Sequence, residues 1–344
     1  MAIETEQPRF DFNTYPSVGE DDWNYVQAVA QIRAIEDNLF NKQFLTELAN
    51  AKDFKELCDM LAGTDYAINP SMKEEEIEQL FFARRMEVRK FVEQLIDNEK
   101  ISKIFKAKID FSNLRLAIRR LVTEKPLGKD YLPQGNVEPD QFELAFEQED
   151  YSALPQFLQD DVEAAVLAYY KNKNVRDIDI EIDKAEAEFV QEESQKIGHI
   201  FLIELFRMQT DLTNIRTMFR QKLRNIDERE AYLPGGYIEK SRLVQCIDIG
   251  FEALANHFFA TPYYHLIESG AVYLQKNTSF LKLEAACDEH LFGYLKTTRY
   301  VPAGIQPVIA YLFFKEQEIR MVRLVTAGNK ALIKSDTILD RIVV

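Results

Sequence analysis

The chain's raw material for proton transfer or metal binding is four histidines and 57 acidic residues. Metal sites on helices need ligands three or four residues apart, because only those positions share a face. His199, His257, His265 and His290 sit in no His-Glu-x-x-His run, and none has a glutamate three residues before it. The Glu-x-x-His ligand pair of di-metal helical bundles is therefore missing. Glu192-Glu193 and Asp160-Asp161 could serve acid–base work, but in so acidic a chain such pairs read as solvated helix faces. Gly128-Lys129 is followed by Asp130 and lacks the upstream glycine of a phosphate loop, and no GxGxxG occurs. His257 beside Phe258 and Phe259 reads as a packed helix-end residue. Cys58, Cys246 and Cys287 lie far apart with no Cys-x-x-Cys spacing, which suits reduced thiols in a cytoplasmic protein. No catalytic residue, cofactor site or metal site is expected.

What stands out instead is repetition. Asp110, Asn113, Leu114, Arg115 and Arg119 recur as Asp211, Asn214, Ile215, Arg216 and Arg220, and the register holds through Tyr131-Leu132-Pro133-x-Gly135 and Tyr232-Leu233-Pro234-x-Gly236. At 100° per residue, Asp110 and Asn113 fall beside the apolar stripe of Leu114 and Leu121, whereas Arg115 and Arg119 point away; Asp211 and Asn214 repeat the arrangement. Polar groups on such a stripe must find hydrogen bonds, most simply to the backbone of a packed neighbour or turn. The arginines, four apart, need an acid or an anion between them. They pair with local acids or belong to an interface. Tyr-Leu-Pro-x-Gly reads as a turn set by proline and glycine. A weaker third copy lies in the run opened by Pro307, where Lys315, Glu318, Ile319 and Arg320 occupy the places of Asp211, Asn214, Ile215 and Arg216. Tyrosine turns at Thr64–Tyr66, Glu149–Tyr151 and Thr261–Tyr263 precede each motif. A period near 100 residues is too long for tetratricopeptide or ankyrin arrays and suits three helical subdomains.

The elements that must position these residues are helices. Val88, Phe91, Val92 and Leu95 mark one apolar stripe; Ile101, Ile104, Phe105, Leu114 and Ile118 the next; Phe201, Leu205, Leu212, Ile215 and Phe219 a third. Strand-like alternation occurs only over Val175–Ile182, too little for a sheet. The expected fold is all-α. The expected organisation is a polar amino-terminal extension over 1–20, then helical subdomains over 21–130, 131–232 and 233–344. A composition of 46% hydrophobic and 29% charged residues is that of a globular chain. A net charge of −15 argues against nucleic acid and against direct adhesion to anionic lipid. The amino terminus has no apolar signal segment, and the longest apolar runs fall short of a membrane span.

The tandem Asp-x-x-Asn-[Leu/Ile]-Arg helices, the Tyr-Leu-Pro-x-Gly turns and the segment from Pro307 through Ala310, Tyr311, Lys315, Glu318, Ile319 and Arg320 together resemble the C subunit of V/A-type rotary ATPases, whose eukaryotic vacuolar equivalent is the d subunit. The resemblance runs from Trp23 to the carboxyl terminus. It departs at Arg115 and Arg216, where lysine is expected in many relatives, and in the first twenty residues. It implies a quasi-threefold funnel of three related subdomains, peripheral at the cytoplasmic face of a membrane. The base of that funnel would sit on a membrane rotor ring of proteolipid subunits. Its open side would receive a central shaft of D- and F-type subunits. Such a protein is non-catalytic and passes torque between ATP chemistry and proton or sodium transport, with ion choice residing in the ring. Arg115, Arg119, Arg216, Arg220, Arg320 and Arg323 are then the candidate interface residues, with Phe81-Phe82, Phe258-Phe259 and Phe313-Phe314 as candidate anchors. Two other readings are a general helical scaffold that recruits unrelated soluble partners and a helical metal or carboxylate enzyme.

Overall fold

A computed structural model describes residues 15–126, 130–226 and 228–342. Among the described residues the chain forms fifteen α-helices joined by turns and short 3-10 segments, with no strand, so the fold is all-α. Residues 1–14 of the polar extension, and Leu127, Gly128 and Lys129, fall outside the described residues.

The helices begin and end where local chemistry dictates. In the amino-terminal stretch, α1 (Val26–Glu36) is followed by α2 (Lys42–Ala49), α3 (Phe54–Leu61) and α4 (Glu74–Gln94). The side chains of Asn41 and Asp53 accept from Phe44 N and Glu56 N, both at 2.8 Å, and so cap α2 and α3. Next come α5 (Glu99–Val122), α6 (Pro139–Glu147), α7 (Gln156–Asn172), α8 (Val175–Ile197), α9 (Ile200–Arg224) and α10 (Lys240–Asp248). Proline opens α6, where its missing N–H costs nothing. Gly198, at φ 75°, closes α8 in the left-handed region that glycine adopts without strain. The remainder is α11 (Phe251–Leu254), α12 (Tyr264–Asn277), α13 (Leu281–Thr297), α14 (Ile305–Lys330) and α15 (Ser335–Leu339). Pro307 lies in the first turn of α14, where no intrahelical N–H bond is lost.

By packing, the chain divides into two compact units, Asn98–Ile249 and Met1–Asp97 with Gly250–Val344. In the Asn98–Ile249 unit, α5, α7 and α8 enclose a core in which Phe111 lies 5.9 Å from the rings of both Phe157 and Phe189, themselves stacked at 4.3 Å. The alternating stretch Val175–Ile182 is the first two turns of α8. Its buried residues, Ile178 and Ile182, are four apart, so a helix satisfies the pattern as well as a strand would. In the other unit α14 is the axis. Every residue from Ile305 to Leu312 is buried, the mark of a helix surrounded on all sides, and α1, α2, α3, α4 and α13 pack around it. Cys58, Cys246 and Cys287 are buried and form no disulfide.

Candidate functional site

The repeated Asp/Asn pairs grip loops. Asn113 and Asn214 are almost wholly buried, at 1% and 0% exposure. Asn113 Nδ2 donates to Leu132 O at 2.9 Å, and its Oδ1 accepts from Leu132 N at 2.8 Å. Asn214 holds Leu233 with the same two bonds, at 2.9 and 2.8 Å. A carboxamide presents a donor and an acceptor side by side, so it pairs with both polar groups of one backbone residue. One turn earlier, Asp110 accepts from Val137 N and Asn136 N, each at 3.1 Å, and from Asn136 Nδ2 at 2.7 Å. Asp211 likewise accepts from Ile238 N at 3.0 Å. Burial pushes the Asp110 carboxyl above its ordinary range, against the pull of the Asn136 and Val137 donors.

The glycine of each turn now has a reason. A Cβ on Gly135 would collide with Asp110 Oδ1 and stand 3.3 Å from Val137 O. A Cβ on Gly236 would collide with Asp211 Oδ1 in the same way. Asp-x-x-Asn and Tyr-Leu-Pro-x-Gly are thus two halves of one device, a helix that clamps the loop 19 to 27 residues downstream. The signal in the sequence was their constant separation.

In α14 the device is ionic. Lys315 and Glu318 are each 4% exposed. Their side chains pair at 2.6 Å. Glu318 also accepts from Tyr66 OH at 2.6 Å and from Phe40 N at 2.6 Å. Lys315 Nζ lies 3.5 Å from Asp65 Oδ2 and 5.3 Å over the Tyr66 ring, and Asp65 pairs in turn with Arg84. Burial and the Glu318 carboxylate hold the Tyr66 phenol far above its usual range. Sequence reading missed Phe40, Asp65 and Tyr66 as partners. The signal available was a Lys and a Glu inside an otherwise apolar run, which demands compensation.

The candidate interface arginines are placed as follows. Arg115 and Arg119 form an ion-pair ladder with α8. Arg115 Nε is 3.6 Å from Asp179 Oδ1, and shorter contacts join Arg115 to Asp183 and Arg119 to Asp179. Arg216 is partly buried and Arg220 exposed on α9. Arg320 meets Asp288 at 2.6 Å and Arg323 meets Glu78 at 2.6 Å, with about half of each arginine side chain open to solvent. The aromatic pairs divide: Phe81 and Phe258 are buried, at 3% and 0%, while Phe82 and Phe259 are 42% and 76% exposed. Phe314 stacks on Phe292 at 5.6 Å. Trp23 and Tyr300, 66% and 65% exposed, are further open aromatics that periodicity did not single out.

His290 is buried between Tyr15 and Tyr263, with ring centroids at 5.2 and 5.1 Å, and burial lowers its pKa to about 4. It is therefore a neutral packing residue at ordinary pH. Among the described residues no group of three or more His, Cys, Asp or Glu side chains could hold a metal ion, and no helix is long and apolar enough to cross a membrane.

The sequence matches the family described as ATP synthase (C/AC39) subunit over residues 28–341. It is 22% identical over 311 residues to the C subunit of the A-type ATP synthase of Pyrococcus abyssi, covering 86% of this chain and 84% of that protein. It is 21% identical over 340 residues to the C subunit of the A-type ATP synthase of Methanocaldococcus jannaschii, covering 91% and 85%. It is 20% identical over 305 residues to the C subunit of the V-type sodium ATPase of Enterococcus hirae, covering 87% and 92%.

Proposed function

Because the chain belongs to the ATP synthase (C/AC39) subunit family, we propose that this subunit of an A/V-type rotary ATPase is the socket of its central stalk. In this reading it joins a shaft of D- and F-type subunits to a proteolipid rotor ring at the cytoplasmic face of a membrane. It turns with the ring and passes torque between ATP chemistry and proton or sodium transport, doing no chemistry of its own. Three related helical subdomains in a quasi-threefold funnel would give it the concave shape of a socket.

The observation that carries the reading is the family match across residues 28–341, taken with what the repeated motif does. A torque-bearing body must not yield at its loops. Asp110, Asn113, Asp211 and Asn214 all serve to fix loop backbone to long helices. The net charge of −15 suits a shaft surface carrying basic residues, since complementary charge orients docking. Phe82, Phe259, Trp23 and Tyr300 offer exposed aromatic area of the kind that anchors interfaces.

The test is reconstitution. Membranes stripped of this protein should regain ATP-driven ion pumping when the purified protein is added, and it should co-purify with the shaft subunits. If it neither binds the shaft nor restores pumping, the socket role is wrong. For the arginines, replacing Arg216 and Arg220 by alanine should weaken shaft or ring binding by the folded protein. A loss of thermal stability with unchanged affinity would assign them to internal support instead.

A further inference from the structure

Each of the first two motif helices clamps a loop that follows it closely: α5 grips Leu132 to Val137, and α9 grips Leu233 to Ile238. In chain order one or two short helices then follow, a tyrosine turn, and a pair of longer helices: α6, Tyr151, α7 and α8 in one case, α10 and α11, Tyr263, α12 and α13 in the other. The motif of α14 grips residues that lie some 250 positions earlier, Phe40 and Tyr66.

The stretch that contains Phe40 and Tyr66 carries the short helices, the tyrosine turn and a long helix in the same order, with one long helix where the others have a pair. It has short helices α2 and α3, then a tyrosine turn, then the long helix α4. The turn itself is built alike. Thr64 Oγ1 donates to Leu61 O at 2.8 Å and accepts from Tyr66 N at 3.1 Å. Thr261 Oγ1 donates to Phe258 O at 2.8 Å and accepts from Tyr263 N at 3.3 Å. Tyr66 and Tyr263 are 0% and 2% exposed.

Attachment to α14 runs along almost its full length. Gln306 Nε2 donates to Val18 O at 2.9 Å and Glu20 O at 3.0 Å. Farther along, Glu316 pairs with Arg89 at 2.6 Å and Arg323 with Glu78 at 2.6 Å. Asn329 Nδ2 then donates to Ala51 O at 3.2 Å, and Lys330 Nζ to Met72 O at 3.2 Å.

We propose that the third repeat is assembled from two distant stretches of chain, α14 supplying the motif helix and Tyr15–Asp97 supplying the remainder, fastened by the Lys315–Glu318–Tyr66 contact. The clasp is a conformational device: the two stretches of the third repeat are not consecutive in the chain, so its body is held shut by a non-covalent seam. The proposal rests on the three-repeat reading of the chain, but not on the rotary role, because its test reads only the chain's association with itself.

The test uses the full-length protein with a specific protease site inserted between Asp97 and Asn98. After native cleavage the two fragments should co-elute in gel filtration with unchanged helical circular dichroism. Glu318→Gln, which leaves Lys315 buried beside a neutral partner, should weaken the cleaved pair roughly a hundredfold. Arg323→Gln, which removes a half-exposed ion pair elsewhere on the seam, should weaken it by no more than about fivefold. Two outcomes overturn the proposal. One is fragments that part on cleavage while the larger one keeps a cooperative thermal transition. The other is Glu318→Gln and Arg323→Gln having equal effects. Should Glu318→Gln fail to fold, Tyr66→Phe serves in its place, since it removes only the hydroxyl contact.

Discussion

Replacing Asn214 by alanine isolates what a loop clamp contributes. The substitution removes two hydrogen bonds, Nδ2 to Leu233 O at 2.9 Å and Leu233 N to Oδ1 at 2.8 Å. Each is worth about 1 kcal/mol net, and the backbone N–H and C=O left behind add their own desolvation cost. Because Leu233 is only partly buried, water recovers some of that cost. The expected loss is about 2–3 kcal/mol. With a urea dependence of about 1–3 kcal/mol per M, the unfolding midpoint should fall by roughly 0.7–3 M. Asn113→Ala should cost the same within about 0.5 kcal/mol, because its bonds to Leu132 have the same lengths. Asn214→Asp should be worse than alanine: it keeps an acceptor for Leu233 N but sets a second acceptor against Leu233 O in a fully buried position. Urea unfolding followed by circular dichroism reads all three. Native-state hydrogen exchange at the Leu233 amide reads the local bond. Midpoint shifts below about 0.3 M for both alanine variants would refute the clamp as a stabilising device.

Gly236→Ala should destabilise by about 1–3 kcal/mol, because its Cβ collides with Asp211 Oδ1, and the crystal structure of the variant should show that carboxylate displaced. Tyr66→Phe should cost about 1.5–3 kcal/mol, the range for a buried hydrogen bond to a charged acceptor, measured by thermal or urea unfolding. His290 gives a pH signature. Its folded pKa, about 4, lies below the ordinary 6.5, so the unfolded chain takes up the proton first as pH falls. Stability from the neutral ring is therefore intact above pH 6.5 and declines between 6.5 and 4. Between about pH 6.5 and 5, wild type should lose about 1.5 kcal/mol more than His290→Gln, read as the difference in urea midpoints at the two values. Equal pH slopes in the two proteins would show that His290 is not the titrating group.

The all-α character was legible because stripes such as Ile101, Ile104, Leu114 and Ile118 repeat at helical spacing, and these residues are buried on α5. The repeated motif was legible as a pattern. What it held was not, because one-dimensional spacing does not say that Asn113 and Leu132 face each other across a turn. Val175–Ile182 was ambiguous for a physical reason: residues four apart in an alternating run satisfy both periods. The ion-paired seam was the least legible part. Its partners, Glu318 with Phe40 and Tyr66, are 278 and 252 residues apart, beyond the reach of any local pattern. The split of aromatic pairs into one buried and one exposed ring, as at Phe258 and Phe259, likewise depends on which helix face meets a neighbour.

That long reach shapes how the protein is born. Translation delivers α1 through α4 first and α14 roughly two hundred residues later, at about 5–20 residues per second. For roughly 10–40 s the apolar faces of Ile32, Leu48, Leu57 and Phe81, which end up buried, wait without the helix that buries them. The nascent chain therefore carries these faces uncovered by α14 through that interval, and the rate of elongation through residues 98–304 sets its length.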